Sequence, residues 1–377
     1  MRINIIDPVL PKFNTIKKKL ITSLESGLVT NNSKNVVIFE KKLKKFFKSK
    51  YEPVIFCNGE MALYSLIYAW KNKLGYKFNQ RIKALVPSFT FVGTVNALYL
   101  NNIEPIFCDI DETLTLDLNS IKKVDKDVKL ILPVSVYGNI PDIKKIKKFC
   151  NLRKIKCISD SAPAFGSKFN GKYLNNLGID EIFSLHVTKI FNSIEGGVAI
   201  TNNKSIHQTL KNLRDFGQSN KKTGNILLPG LNSKMQEFSA IIGLENLKKI
   251  KSKMKKRKII INKYNFFFKN LEKKNYLKLM SVKPNTECQY LYYPIILKKN
   301  RNDFIKYLEK NNIYVRKYYT SVKDLTFYKN KFKYLKNTFN YSEKIKNKIV
   351  SFPLHSDMSE EKIKYLFQTI ENYFDEK

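Results

Sequence analysis

Short apolar runs alternate with stretches of helical spacing through the N-terminal two thirds of the chain. Val54-Ile55-Phe56-Cys57 is a β-rich run closed by Asn58-Gly59. Met61–Lys73 then carries apolar residues at three-to-four spacing, the period of an amphipathic helix. Ala84-Leu85-Val86, ended by Pro87, predicts a second strand, Thr94–Leu100 a helix, and Pro105-Ile106-Phe107-Cys108 a third strand. The nearly continuous apolar run Leu130–Val136 predicts a strand buried on both faces. Pro141-Asp142 opens a helix to Cys150, and Lys156-Cys157-Ile158-Ser159 predicts the next strand. Strands alternating with helices predict an α/β fold, a largely parallel sheet with helices on both faces. Ligands of such sheets bind beyond the C-terminal strand ends, where Asn58-Gly59, Pro87-Ser88 and Asp160-Ser161 fall.

After Gly197 the pattern changes. Val198-Ala199-Ile200-Thr201 predicts a strand ending at the turn pair Asn202-Asn203. A long helical pattern, rich in lysine on one face, runs from Ser233 to about Phe268. Beyond it Tyr290–Leu297 and Tyr314–Tyr319 predict strands, and Arg301–Lys310, Tyr341–Ile349 and Ser359–Phe374 predict helices. The expected division is a large domain over 1–245 and a small C-terminal α+β domain over 246–377, joined through the long helix. There is no internal repeat and no low-complexity linker.

Composition narrows the class. Of the 377 residues, 43% are hydrophobic and 13% aromatic, which is globular rather than disordered or fibrous. No stretch approaches the roughly 18 apolar residues of a membrane span. Met1–Pro8 lacks the apolar run and small-residue cleavage site of a signal peptide. The five cysteines are odd in number and form no CxxC pair, so a disulfide framework or zinc ribbon is not expected, and a reducing cytoplasm is. Lys plus Arg number 69 against 32 Asp plus Glu, a formal charge of +37. Most of that charge is lysine, spread along the chain and densest in Lys248–Lys258 and Lys329–Lys348. Asn and Ile are abundant too, as an AT-rich coding sequence would give. No recognition motif accompanies the charge, so it reads as solvated surface that can steer anionic small molecules, with no nucleic-acid partner.

One tempting motif is discarded. Gly166–Lys172 fits GxxxxGK, but position 173 is Tyr rather than the Ser or Thr that would hold magnesium, and no apolar helix follows. Asn170-Gly171 instead predicts a hairpin turn. The informative segment is Phe183-Ser184-Leu185-His186-Val187-Thr188-Lys189, followed by Ile194-Glu195-Gly196-Gly197. A lysine just after a short strand, with a serine five residues earlier, suits a Schiff-base lysine beside a phosphate-binding hydroxyl. In so lysine-rich a chain the alternative is a surface lysine. Asp160 at a strand end, Gly59 at a strand-to-helix turn and Phe91 after Pro87-Ser88-Phe89-Thr90 favour the chemical reading. Their bland alternatives are a helix cap for Asp160, a core ring for Phe91 and a strand-end hydroxyl for Ser184. His186 reads as a packing or supporting residue, His207 and His355 read as isolated and surface-like, and no metal site is expected.

On these segments the chain resembles the DegT/DnrJ/EryC1/StrS family of pyridoxal-phosphate-dependent sugar-nucleotide aminotransferases. The similar stretches are VPSFTFVGTVNAL, EPIFCDIDETLTLD, ILPVSVYG, ISDSAPAFG, FSLHVTKIFNSIEGGVAITN, LRDFG and GLNSKMQEFSAIIGL. They occur in the family's order and extend the likeness from Ile5 to about Phe374. FCNGEMAL, DSAPAFG and GLNSKMQEF look most like the branch that makes 4-amino-4,6-dideoxy sugars. The resemblance implies a fold-type I transferase: a large, mixed but mostly parallel sheet sandwiched by helices, plus a small C-terminal α+β domain. It also implies an obligate homodimer with shared active sites. The implied reaction moves an amino group, via pyridoxal 5'-phosphate, from L-glutamate to a nucleotide-linked 4-keto-6-deoxyhexose such as dTDP-4-keto-6-deoxyglucose, for surface-glycan or related biosynthesis. Two alternatives stay open: the same chemistry on a 3-keto or a GDP- or UDP-linked sugar, and a non-catalytic anion- or nucleic-acid-binding protein on the same fold.

Carried over by residue, Lys189 matches the lysine bonded to the cofactor and Asp160 the carboxylate facing its pyridine nitrogen. Ser184 and the backbone at Gly59–Glu60 match the phosphate cradle, and Phe91 the ring stacked on the cofactor. Asn232 matches an asparagine that reaches the neighbouring subunit's cofactor phosphate. Lys234, Arg316, Tyr318 and Tyr319 lie in segments that flank the sugar-nucleotide site in similar proteins. Lys234 or Arg316 is suited to the diphosphate, with a solvated role as the alternative. Three positions depart from the pattern: Glu60 replaces the usual Thr, Pro163 a His or Gln, and Ser135 a His. The retained Lys189 argues against the family's sugar dehydratases, in which histidine replaces this lysine.

Overall fold

Helices α1 (Phe13–Glu25) and α2 (Lys34–Phe47) precede the first strand, β1 (Val54–Phe56). Asn58, two residues past that strand, caps α3 (Gly59–Lys73), its Oδ1 accepting from Met61 N at 2.9 Å. The chain then alternates through β2 (Ile82–Pro87), α4 (Val92–Leu100), β3 (Ile103–Cys108), β4 (Val128–Ile131), α5 (Ile143–Arg153) and β5 (Lys156–Asp160). A short β6 (Lys168–Phe169) leads to β7 (Asp180–Ser184), β8 (Gly197–Ile200) and α6 (Lys204–Arg214). The computed structural model describes residues 1–121, 124–220, 224–332 and 339–376. Part of the lysine-dense stretch Lys329–Lys348, residues 333–338, therefore lies outside the described residues.

Seven strands form one sheet in the order β1-β8-β7-β5-β4-β2-β3. Every pairing from β7 to β3 is parallel, and β8 runs antiparallel to both β1 and β7. Leu63, Leu66 and Ile67 of α3 join Val86, Leu98 and Leu130 in the core on one face. Ile143 and Ile146 of α5 join Leu85 and Ile131 on the other. This is the two-faced burial that the continuous apolar runs imply.

The antiparallel strands β9 (Gln218–Asn220) and β10 (Asn225–Ile226) precede α7 (Glu237–Lys273). The first half of α7 buries Ala240, Leu244 and Ile250 beside Phe39. Its second half buries Ile260, Tyr264 and Phe268 in a separate core. The expected division at 245 thus falls inside a continuous helix. The second core belongs to an antiparallel sheet of β11 (Leu277–Leu279), β13 (Tyr293–Leu297) and β14 (Ile349–Phe352), while β12 (Thr286–Glu287) pairs with β6. Helices α8 (Arg301–Lys310), α9 (Thr326–Lys331), α10 (Asn340–Ile345) and α11 (Glu360–Asp375) complete the chain. Among the described residues no helix is long and apolar enough to cross a membrane.

Several elements differ from expectation. All of Leu130–Val136 is buried, but the strand stops at Ile131, because Pro133 has no N–H to continue a ladder. Tyr314–Tyr319 is not a strand; it touches the small sheet through one bridge, Arg316 to Ser351, and then turns inward. The helix expected over Tyr341–Ile349 ends at Ile345, and the apolar residues that follow form β14. Asn170 and Gly171 both have positive φ, 49° and 70°, and Phe169 and Lys172 exchange backbone hydrogen bonds, as a hairpin turn requires. His207 and His355 are not surface-like. His207 is 8% exposed and stacks on Tyr51 at 5.2 Å, on the face of α6 that buries Ile206 and Leu210. His355 is half-buried, with Nε2 2.9 Å from Asn4 O.

Candidate active site

The reversed strand decides where the chemistry gathers. Gly197 of β8 is registered against Phe56 on one side and Ser184 on the other. The loop between β7 and β8, which carries Lys189, is therefore held at the same sheet end as the β1–α3 turn. Asp160 ends the neighbouring β5. These elements surround a cavity of about 520 Å³ lined by Gly59, Glu60, Phe91, Asp160, Ser184 and Lys189. Tyr292, Arg316, Tyr318 and Tyr319, from the C-terminal part of the chain, line its other side.

Gly59 and Ser184 meet more closely than side chains allow. A Cβ on Gly59 would lie 2.8 Å from Ser184 Cβ and 3.1 Å from its Cα. As the first two residues of α3, Gly59 and Glu60 have N–H groups with no partner inside the helix. The first turn and the Ser184 hydroxyl thus converge on one small, donor-rich corner suited to an anion. The carboxyl carbon of Glu60 lies beside α4, 3.6 Å from where a Cβ on Gly93 would stand.

Asp160 is buried and doubly held. Its Oδ2 accepts from Thr94 Oγ1 at 2.6 Å, and its Oδ1 from Ala162 N at 3.0 Å. Burial raises its pKa above the usual carboxylate range, and the two hydrogen bonds and the charge of Lys189 oppose that rise. Burial lowers the pKa of the Lys189 amine, with Asp160 pulling the other way. The two groups are near enough to sense each other.

The remaining candidates divide. Arg316 Nη1 donates to Tyr318 OH at 3.1 Å, and its guanidinium lies 5.0 Å from the centre of that ring. Tyr319 is buried against Tyr137 and Phe89, at 5.2 and 6.2 Å between ring centres. Tyr137 OH donates to the Tyr318 carbonyl, and Ser351 Oγ lies 3.0 Å from the same oxygen. Phe91 is 55% exposed, so it is not a core ring. Asn232 is exposed and does not line the cavity of its own chain. Lys234 is buried, with its amine 3.2 Å from Asp215 Oδ1 and 4.2 Å from the centre of the Phe216 ring, so it is not solvated, and like Asn232 it does not line the cavity of its own chain.

Sequence reasoning missed Thr94, Tyr292 and Glu195 and gave His186 only a packing or supporting role; all four line the cavity. His186 Nε2 lies 3.5 Å from Glu195 Oε1, and its Nδ1 is 2.9 Å from Thr188 Oγ1. Thr94 had a readable signal, a hydroxyl one helical turn after Thr90 in an otherwise apolar stretch. Tyr292 had none. Pro163 also lines the cavity, whereas the buried Ser135 hydroxyl has no partner among the described residues.

Comparison with known proteins fits this arrangement. The chain is 28% identical over 375 residues to the dTDP-4-amino-4,6-dideoxy-D-glucose transaminase of Shigella dysenteriae, covering 97% of each chain. It is 26% identical to the GDP-perosamine synthase of Vibrio cholerae, covering 95% of this chain and 96% of that one. Its fold matches Helicobacter pylori PseC, an aminotransferase of pseudoaminic acid biosynthesis, with a TM-score of 0.88, 23% identity and full coverage of both chains. That shared fold is the fold-type I arrangement expected above. The pattern of the DegT/DnrJ/EryC1/StrS aminotransferase family spans residues 12–371, so the chain belongs to that family and is a pyridoxal-phosphate-dependent sugar aminotransferase.

Proposed function

We propose that this chain transfers an amino group from L-glutamate to the keto carbon of a nucleotide-linked 4-keto-6-deoxyhexose, in the dTDP series, as a homodimer with shared active sites. The observation that carries the reading is the placement of Lys189 beside Asp160 in a cavity whose far corner is the Gly59–Ser184 cradle. The residues fit pyridoxal phosphate: the cradle has the donors for a phosphate and no room for a side chain at position 59. When bound, the cofactor supplies an electron sink for the pair left as the donor's Cα loses its proton. Gly59 N, Glu60 N and Ser184 Oγ would hold the phosphate. Glu60 serves through its backbone, because its carboxyl group sits beside Gly93. Phe91, exposed at the cavity edge, supplies a flat face for the ring.

Asp160 is fixed by Thr94 and Ala162 so that its charge is available to a cationic ring nitrogen. Burial alone disfavours that charge, and a cation beside it restores it. The Lys189 Nζ, held toward its neutral form by burial, would take the proton from the donor's Cα and deliver it to the cofactor carbon that receives the amine. The exposure of Asn232 outside its own cavity suits the shared-site dimer. The dTDP series is favoured by the relative from Shigella dysenteriae, while the relative from Vibrio cholerae keeps a GDP-linked sugar as the second reading.

The test is the absorption spectrum of the protein with pyridoxal phosphate. A visible band that bleaches with L-glutamate, and returns with a dTDP-linked 4-keto-6-deoxy sugar, is expected. Return with a GDP- or UDP-linked or a 3-keto sugar instead would move the substrate. Absence of the band, or a Lys189→Ala variant that still turns over, would overturn the assignment.

A further inference from the structure

The chain carries a formal charge of +37, yet its cavity does not share that excess. Glu60, Asp160 and Glu195 line it against the cations Lys189 and Arg316, and His186 faces Glu195. Lys234, the other cation expected at the substrate, is committed to Asp215 outside the cavity. Both substrates of the proposed reaction are anions: a dicarboxylate donor and a nucleoside-diphosphate sugar. Lys189 is needed for proton transfer.

Arg316 differs from its neighbours. Among the described residues no carboxylate pairs with it; its contact is one bond to the neutral Tyr318 hydroxyl, beneath a guanidinium that has five N–H donors. Its position is fixed from behind. Arg316 N donates to Ser351 O at 3.1 Å, and Ser351 N to Arg316 O at 2.8 Å. The next turn is held by Tyr137 and Ser351 at the Tyr318 carbonyl. A planar fork matches carboxylate and phosphate oxygens alike.

We infer that Arg316 is the shared anion anchor of both half-reactions: it holds a carboxylate of the amino donor first and the diphosphate of the sugar nucleotide afterwards. This rests on the aminotransferase reading above. Both substrates must reach the same Lys189, so they occupy the cavity in turn, and one anchor serves both. The donor's keto-acid product must leave before the sugar nucleotide can be held. Specificity between the substrates then comes from the aromatic wall, Tyr292, Tyr318 and Tyr319, and the anchor itself is indifferent.

The test is calorimetric titration of the cofactor-loaded protein with glutarate and with thymidine, guanosine and uridine diphosphates, singly and together. Glutarate and a nucleoside diphosphate should exclude each other. Arg316→Met should weaken both by ten-fold or more, with Arg316→Lys between. Circular dichroism and the cofactor band confirm that each variant is folded and loaded. Simultaneous binding, or a variant that weakens one ligand and spares the other, would overturn the inference. So would wild-type protein that binds neither probe while still bleaching with L-glutamate, an outcome that leaves the aminotransferase reading standing.

Discussion

Gly59→Ala is a perturbation whose effect can be worked out from the backbone. The new methyl carbon would stand 2.8 Å from Ser184 Cβ, about 0.6 Å short of the 3.4 Å at which ordinary contact begins. Ser184 ends a strand that is buried throughout, so the start of α3 must move instead. Overpacking of this kind costs about 1–3 kcal/mol. Gly59 N and Glu60 N move with it, away from the phosphate they are built to meet. Hydrogen bonds to a charged group contribute about 1.5–3 kcal/mol each, so losing roughly one such bond weakens cofactor binding about ten-fold or more. The assay is a cofactor titration followed by absorbance, with a urea melt on the same protein. Ser184→Gly supplies the control. With the Ser184 Cβ gone, the nearest contact is its Cα at 3.1 Å, which a shift of a few tenths of an ångström relieves. Adding Gly59→Ala to Ser184→Gly should then cost far less than adding it to wild type, a coupling that a double-mutant cycle reads directly. Wild-type cofactor affinity and stability in Gly59→Ala alone would refute the close approach and the cradle built on it.

Three further outcomes follow from the same geometry. Asp160 has its folded-state pKa raised by burial, so the cofactor-free protein loses stability as pH rises through that value; Asp160→Asn should gain on wild type in urea melts as pH rises, yet lose the stabilisation that cofactor gives wild type. Arg214 and Glu40, both buried, pair at 2.5 Å, and Glu40→Gln should cost about 3–5 kcal/mol in denaturant unfolding by stranding the guanidinium. Tyr137→Phe removes the hydroxyl that holds the Tyr318 carbonyl and should weaken nucleoside-diphosphate binding by up to about ten-fold, with the melting curve little changed.

Local chemistry made much of this legible in the sequence. Apolar runs ended by Asn58-Gly59, Pro87 and Asp160 give the strand ends, because strand burial and turn residues are short-range properties. Lys189 and Ser184 sit on one strand and its exit loop, so their spacing alone brings them together. Lys234 and Arg316 were indistinguishable as sequence. The fold turns one onto Asp215 and brings the other to the cavity wall, and both outcomes depend on contacts between separate elements. Strand β14 was hidden for the same reason: Ile349–Phe352 continues an apolar pattern readable as helix, and its pairing with β13 decides the matter. Tyr292 reaches the cavity from a run of four residues, Tyr290–Tyr293, that local pattern cannot tell apart.

Strand β8 also sets an order on assembly. β1 forms its ladder with β8, which is made much later, after the whole parallel part of the sheet. Until β8 inserts between β1 and β7, the N-terminal strand has no ladder and the two halves of the phosphate cradle are unconnected. Pairing across so long a stretch of chain is intrinsically slow. The cofactor should therefore bind late in refolding, and its visible band would time the closing of the sheet.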